Sequence, residues 1–161
     1  AYKTIKQLSK LMRYLLYEKS TKNVELQKEV DFMRNFINLM RIRYPESVKI
    51  SAEFPTDCQS VHIPPLLLIS FIENAFKHGV SYTEKYSISV KLALKDNHLH
   101  FQCSNFMFPK SAGDKKESGI GIKNVQRRLD LIYGSAYVLD ISKNDDFYAV
   151  KLILPLSPDA T

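Results

Sequence analysis

The sequence feature that most constrains the fold is the stretch 64–79, PPLLLISFIENAFKHG. Its continuous apolar run predicts a buried helix, because a helix that is apolar on all sides must be covered by the rest of the protein. Pro64 and Pro65 suit its first turn, where a missing backbone N–H costs nothing, and Gly79 suits its C-terminal cap. We therefore predict a helix that begins at the two prolines and organises the core.

Four polar side chains end this apolar helix, namely Glu73, Asn74, Lys77 and His78. Unpaired polar groups are costly to bury, so a cluster of them at the end of a buried helix needs an explanation. Asn74 and His78 are four residues apart and share one face, with Lys77 alongside. An amide, an ammonium and an imidazole in this arrangement can hold a hydrated metal ion and a polyphosphate. An ordinary helix end with solvated side chains explains the same residues.

A second motif, SGIGIKNV at 118–125, precedes an amphipathic run. Apolar residues recur there at helical spacing and predict a helix over about 121–133, stopped by Gly134. Gly119 and Gly121 stand at the junction of loop and helix, where backbone N–H groups can approach an anion. Taken alone, such a pair of glycines usually marks only a turn.

Together, ENAFKHG (73–79) and SGIGIKNVQRRLDLIYG (118–134) resemble the N box and the second glycine box of sensor histidine kinases. The residues of both motifs are most similar to those of the LytS-like sensor kinases, and the resemblance covers the whole chain. It implies the kinase core of a bacterial two-component system, which binds Mg-ATP with a Bergerat-fold domain. In the intact protein it would phosphorylate a histidine, and a response regulator would take the phosphate. The alternatives are a non-catalytic nucleotide-binding or dimerisation module, and a protein-serine kinase on the same fold.

The resemblance also implies roles for individual residues. Asn74 would be the magnesium ligand, because its amide oxygen is a hard donor, and Glu73 would bind the metal through water or orient the cluster. Lys77 would contact phosphate as a point charge, and His78 would contact the nucleotide or its phosphates. The other implied nucleotide contacts are Asn105, Gly119, Gly121, Lys123 and Asn124.

Two positions depart from the family pattern. The first glycine box normally reads Asp-x-Gly-x-Gly, whereas Asn105 here is followed by Phe106 and Met107. An amide oxygen can accept the same hydrogen bond from adenine, without charge assistance. The related ATP-hydrolysing proteins place a general-base Glu four residues before the metal-binding Asn, and this chain has Ser70 there. Serine cannot act as that base at neutral pH, which favours phosphotransfer over hydrolysis.

The first 45 residues predict two amphipathic helices, over about 2–18 and 25–43, with heptad-like apolar spacing. A four-helix bundle in a homodimer would bury both stripes, or else they pack on the chain's own domain. The resemblance implies a partial dimerisation hairpin, with an ATP-binding domain over 46–161. All four histidines lie beyond the hairpin, so we expect the phosphoacceptor to precede this chain, which would not autophosphorylate by itself.

Alternating apolar residues predict five strands and, with the helices, a two-layer α+β sandwich whose helices cover one face of a mixed sheet. Asp96-Asn97 reads as a hairpin turn, and the aperiodic segment 104–117 is typical of a mobile lid. The predicted strands cover about 48–54, 88–94, 99–103, 137–142 and 147–154.

The charge, the cysteines and the remaining histidines indicate which partners and metal sites are to be expected. The formal net charge is +6, but the basic residues are dispersed, which argues against nucleic acid binding. Cys58 and Cys103 lack metal-type spacing and read as reduced thiols of a cytoplasmic domain, whose parent protein the resemblance implies to be membrane-anchored. We expect His62 to be a surface or packing residue. His98 and His100 share a strand face without a third ligand, which favours a surface pair over a metal site.

Overall fold

The computed structural model describes residues 1–17, 22–78, 86–106, 120–144 and 146–156. Across those ranges, none of the helices has the length and apolarity needed to cross a membrane. The elements in chain order are α1 (Tyr2–Tyr17), β1 (Val24–Glu25), α2 (Leu26–Arg41), β2 (Lys49–Glu53), β3 (His62–Ile63), α3 (Ile69–His78), β4 (Ser87–Lys95), β5 (His98–Phe106), α4 (Ile120–Tyr133), β6 (Val138–Lys143) and β7 (Phe147–Pro155).

Five strands form one mixed sheet in the order β2-β4-β5-β7-β6. β2 pairs with β4 in parallel, and the other neighbours are antiparallel. Inward-facing apolar residues of this sheet join α2, α3 and α4 in one core. The predicted α+β sandwich with a mixed sheet is therefore confirmed. β1 and β3, which pair with each other, were not predicted because two residues are too few to show alternation.

The hairpin of β4 and β5 turns at Asp96 and Asn97, as predicted. Both residues have positive φ, 50° and 58°, which is the backbone of the two-residue turns that match the twist of a hairpin. The ladder pairs Lys95 with His98. His98 and His100 are half-buried on the sheet face opposite the helices, with ring centroids 6.4 Å apart.

The helix of the apolar stretch starts later than the sequence predicts. α3 begins at Ile69, whereas a helix beginning at Pro64 and Pro65 was expected. The reason lies at Leu66, whose φ of 60° is left-handed and cannot continue a right-handed helix. Its backbone N–H donates to the carboxyl group of Glu29, 3.0 Å away, so a residue of α2 contacts this turn.

The apolar stripes of the two N-terminal helices differ in how far they are buried. The α2 stripe of Leu26, Val30, Met33 and Ile37 is buried in the domain core. α1 contacts α2 but buries Leu11 as its one core residue. The rest of its predicted stripe is open, with Ile5 63%, Leu8 50%, Met12 52%, Leu15 40% and Leu16 72% exposed.

Candidate functional site

The polar residues of α3 form one stripe on an otherwise buried helix. Glu73 and Lys77 are exposed, and Ser70 and Asn74 are half-buried. These four residues follow the spacing i, i+3, i+4, i+7, which is one face of a helix. His78 ends the helix, and its side chain lies outside the described residues.

Aromatic contacts anchor the buried side of α3 at both ends. The Phe71 ring lies 5.8 Å from that of Phe101 on β5. At the other end of the helix, the Phe76 ring lies 5.9 Å from Phe36 and 6.0 Å from Tyr44. Because both ends are anchored, the helix cannot rotate without breaking these contacts, and the polar stripe with Asn74 is held outward.

The side chain of Glu73 is exposed as a whole, but its carboxyl group is partly shielded from water. Partial burial raises its pKa above the ordinary 4.5, because a charge is less stable where water is displaced. The group is a hard oxygen donor. It stands next to Asn74, so a hard cation can find an amide and a carboxylate oxygen on one helical turn.

Asn105 lies inside a strand, which corrects the prediction that it follows the strand. β5 extends to Phe106, and Asn105 takes an inward-facing position with 2% exposure. Its Nδ2 donates to the carbonyl oxygen of Phe106 at 3.0 Å. With the amide nitrogen bound in this way, the carbonyl oxygen of the same side chain is the group suited to accept a hydrogen bond from a ligand.

Tyr148 is the cross-strand partner of Asn105 on β7. It is half-buried, and burial, followed by the nearby Cys103, raises the pKa of its phenol above 10.0. The phenol is therefore neutral at physiological pH. The end of β5 thus offers polar but uncharged groups, which suit a heterocyclic base better than an anion.

The start of α4 provides the third part of the site. The helix begins at Ile120, one residue before the predicted start at Gly121, so Gly121 lies in its first turn. Among the described residues, no atom comes within 4 Å of the place that a Cβ would take at Gly121. Lys123 and Asn124 are exposed beside it. Gly119 lies outside the described residues.

The fold brings the three parts of the site together as neighbouring elements. α3 contacts both β5 and α4, and the sulfur of Cys103 on β5 lies 3.7 Å from the carbonyl oxygen of Phe71. Buried Val125 and Leu129 place the inner side of α4 in the core that α3 shares. Of the predicted lid, 104–117, residues 104–106 belong to β5, and residues 107–117 lie outside the described part of the chain.

One polar residue beneath the site was missed by the sequence reasoning. Glu29 of α2 is fully buried, and its Oε1 accepts hydrogen bonds from the Tyr14 hydroxyl and the Leu66 N–H. The signal was available, because Glu29 is three residues from Leu26 and four from Met33, within the apolar stripe. A carboxylate at such a position has to be hydrogen-bonded by its neighbours.

Comparison with known proteins shows first which class of fold this chain has. Residues 1–48 match the family described as histidine kinase. The histidine kinase domain of Erythrobacter litoralis EL346 superposes with a TM-score of 0.60 at 17% identity, covering 94% of this chain and 80% of that one. The catalytic domain of histidine kinase ThkA gives 0.59 at 13% identity, covering 84% and 97%. ShkA in complex with AMPPNP also gives 0.59 at 13% identity, covering 99% and 36%. The fold is therefore that of the histidine kinase catalytic domain.

The relatives that are similar in sequence are sensor kinases, a narrower group within this class. Sensor protein LytS of Oceanobacillus iheyensis is 27% identical over 163 residues, covering 92% of this chain and 28% of LytS. Sensor protein kinase HptS of Staphylococcus aureus is 32% identical over 172 residues, covering 98% of this chain and 32% of HptS. The predicted resemblance to LytS-like sensor histidine kinases is thus confirmed. The chain spans about a third of the length of these relatives.

Proposed function

We propose that this chain is the nucleotide-binding kinase core of a two-component sensor histidine kinase. It binds Mg-ATP and, within the intact protein, supplies the γ-phosphoryl group to a histidine, from which a response regulator takes it. The observation that carries this proposal is the polar stripe of Ser70, Glu73, Asn74 and Lys77 on a helix that is otherwise buried. A helix end held so firmly by Phe71 and Phe76 is suited to positioning a ligand.

In this site the adenine would lie against the end of β5. The amide oxygen of Asn105 would accept a hydrogen bond from the adenine amino group, while its nitrogen stays bound to Phe106. The phosphates would approach the first turn of α4, where Gly121 leaves space and exposes backbone N–H groups. Lys77, Lys123 and Asn124 would neutralise or bind phosphate oxygens.

Residues of α3 also fit a magnesium ion. The amide oxygen of Asn74 would be a direct ligand, and Glu73 would act directly or through water. Magnesium, when bound with ATP, neutralises phosphate charge, which is the main electrostatic requirement of phosphoryl transfer. His78 would complete the set at the end of the helix, near the nucleotide or its phosphates.

The same helix argues for transfer over hydrolysis. Ser70 occupies the position four residues before Asn74 and is half-buried on the polar stripe. A hydroxyl at neutral pH does not deprotonate water, so the chain provides no general base there. The phosphoryl group is then kept for an acceptor side chain that reaches the site in the intact protein.

The proposal extends to the partners of the chain. The open apolar face of α1 suits a second copy of the same helix, so we propose a homodimer through the hairpin of residues 1–45. Residues 46–161 would form the ATP-binding domain, on the cytoplasmic side of a membrane-anchored sensor. The specific rival is a non-catalytic nucleotide-binding or dimerisation module, which the missing glycines after Asn105 would favour.

Calorimetric titration of ATP, with and without magnesium, tests the proposal. We expect magnesium-dependent binding that is lost or weakened at least about tenfold in Asn74→Ala, since one charge-assisted contact is worth about 1.5–3 kcal/mol. Gln102→Ala is the matched control, because it removes an exposed amide from the opposite face of the sheet. Absence of ATP binding by the wild type, or equal binding by both variants, would contradict the site.

A further inference from the structure

The turn that leads into α3 is held by a residue from another helix. Leu66 has a φ of 60°, which is costly for a residue with a branched side chain. Its backbone N–H donates to Oε1 of Glu29 at 3.0 Å. A non-glycine residue keeps this backbone only where the surrounding structure imposes it, and Glu29 contacts the turn from another helix.

The carboxylate of Glu29 is also bound from the first helix. The same Oε1 accepts a hydrogen bond from the Tyr14 hydroxyl of α1. The Tyr14 ring stacks on the buried Phe32 of α2, with centroids 4.7 Å apart and planes 27° from parallel. The hydroxyl is therefore aimed by a packed ring, and a fully buried carboxylate joins α1, α2 and the start of α3.

The beginning of α2 is fastened to the same segment by further bonds. The Leu26 N–H donates to the Val61 carbonyl oxygen at 2.7 Å, and Val24 pairs with Ile63 in a short ladder. The Cys58 thiol donates to Oε1 of Gln27 at 3.3 Å. Movement of α2 must therefore carry residues 58–66 with it, and α3 starts three residues after Leu66.

We propose that Glu29 is a positioning residue for the nucleotide-binding helix, and that Tyr14 completes it. Glu29 holds the left-handed turn at Leu66 and so sets where α3 begins. Asn74 lies five residues after the start of α3, about one and a half turns along the helix, so this turn contributes to the placement of its amide. The inference rests on the proposed nucleotide site and adds the first helix of the chain to the parts that shape it.

Amide hydrogen exchange resolved by NMR tests the mechanical part without any nucleotide. Tyr14→Phe keeps the ring that stacks on Phe32 and removes one hydroxyl. We expect the Leu66 amide and the first amides of α3 to exchange about tenfold faster, because a hydrogen bond to the buried carboxyl group of Glu29 is lost. Tyr2→Phe, on the same helix and 79% exposed, should leave these amides unchanged. Faster exchange confined to α1, or no change at Leu66, would overturn the proposal.

Glu29→Gln provides a second variant with the same shape. Its amide oxygen can still accept both hydrogen bonds, so the Leu66 amide should exchange at most about threefold faster, less than in Tyr14→Phe. Unchanged exchange at Leu66 in Glu29→Gln and in Tyr14→Phe would show that the turn does not depend on this carboxylate.

Calorimetry separates a positioning role from a merely stabilising one. In Tyr14→Phe and Glu29→Gln we expect ATP affinity to fall about three- to tenfold while its dependence on magnesium remains. Asn74→Ala, by contrast, should abolish that dependence. A lower melting temperature with unchanged ATP affinity would overturn positioning. If the wild type binds no ATP at all, the proposed function fails, and exchange at Leu66 still decides whether Glu29 holds the turn.

Discussion

The thiol of Cys103 on β5 points at the backbone of α3, with its sulfur 3.7 Å from the carbonyl oxygen of Phe71. Burial in this position raises the pKa of the Cys103 thiol from 9.0 to about 12. The unfolded chain therefore releases this proton at lower pH than the folded protein does. Stability from this group is complete below about pH 9 and is lost as the pH rises toward 12.

We therefore expect alkaline destabilisation centred on Cys103. Each pH unit above 9 should lower the free energy of unfolding by about 1.4 kcal/mol through this thiol. Urea unfolding at about pH 8 and about pH 10 measures the difference. Cys103→Ala is less stable at both values, because it leaves a cavity, but it should lose less on going to the higher pH. Equal losses in wild type and variant would contradict the assignment.

Asn105 should set the preference for adenine over guanine. Asn105→Leu removes the amide oxygen while keeping the branching of the side chain, so ATP affinity should fall about tenfold while GTP affinity stays the same. Competition titrations with the two nucleotides measure the ratio. Gln102→Leu, an exposed amide three residues earlier on the same strand, is the control. A parallel fall in affinity for both nucleotides would place the base elsewhere.

Substitution by alanine should have opposite effects on stability at Gly121, in the first turn of α4, and at Gly134, directly after its end. Gly134 has a φ of 58°, so Gly134→Ala should cost about 1 kcal/mol, or about 2–4 °C in melting temperature, and leave ATP affinity unchanged. Gly121→Ala should raise helix stability by up to about 1 kcal/mol and weaken ATP binding by filling the phosphate approach. Thermal unfolding and calorimetry of the two variants provide the test. Unchanged ATP affinity in Gly121→Ala would contradict the proposed phosphate position.

The exposed face of α1 should mediate self-association. We expect the chain to sediment as a concentration-dependent dimer, and Leu8→Glu to weaken that dimer at least about tenfold by placing a charge at its centre. Folding should be unaffected, because Leu8 is half exposed in one copy. Lys10→Glu, which adds the same carboxylate on another face of the helix, is the control. A wild type that sediments only as monomer would reject dimerisation by this face.

Local patterns were sufficient for most of the sheet. Alternation located β4, β5, β6 and β7, and the Asp96-Asn97 turn follows from two residues that tolerate positive φ. The same rules failed where a distant residue decides. The prolines before Leu66 suit a helix start, yet Leu66 has a left-handed φ, its N–H is bound by Glu29, and the helix begins only at Ile69.

The candidate site shows the same division. Helical spacing alone places Asn74 and Lys77 on one polar stripe, and the structure bears this out. Asn105 was assigned to a loop because its polarity interrupts the apolar pattern of β5, although the ladder continues through Phe106. Likewise, nothing in the spacing of the two N-terminal stripes distinguishes α2, which is buried, from α1, which is open. That difference depends on which surface the sheet and α3 leave available.

The parallel pairing of β2 with β4 has a consequence for the order of folding. β4 and β5 meet across two residues, and β6 and β7 across three, so these hairpins can form early at little entropic cost. β2 pairs with β4 only after the chain has passed through β3 and α3, with Lys49 opposite Ser87. We expect the antiparallel strands to assemble first and the edge strand to dock late. The first helix, α1, which buries Leu11 as its one core residue, would then be the last part of the protein to gain protection as it folds, and the first to lose it on unfolding.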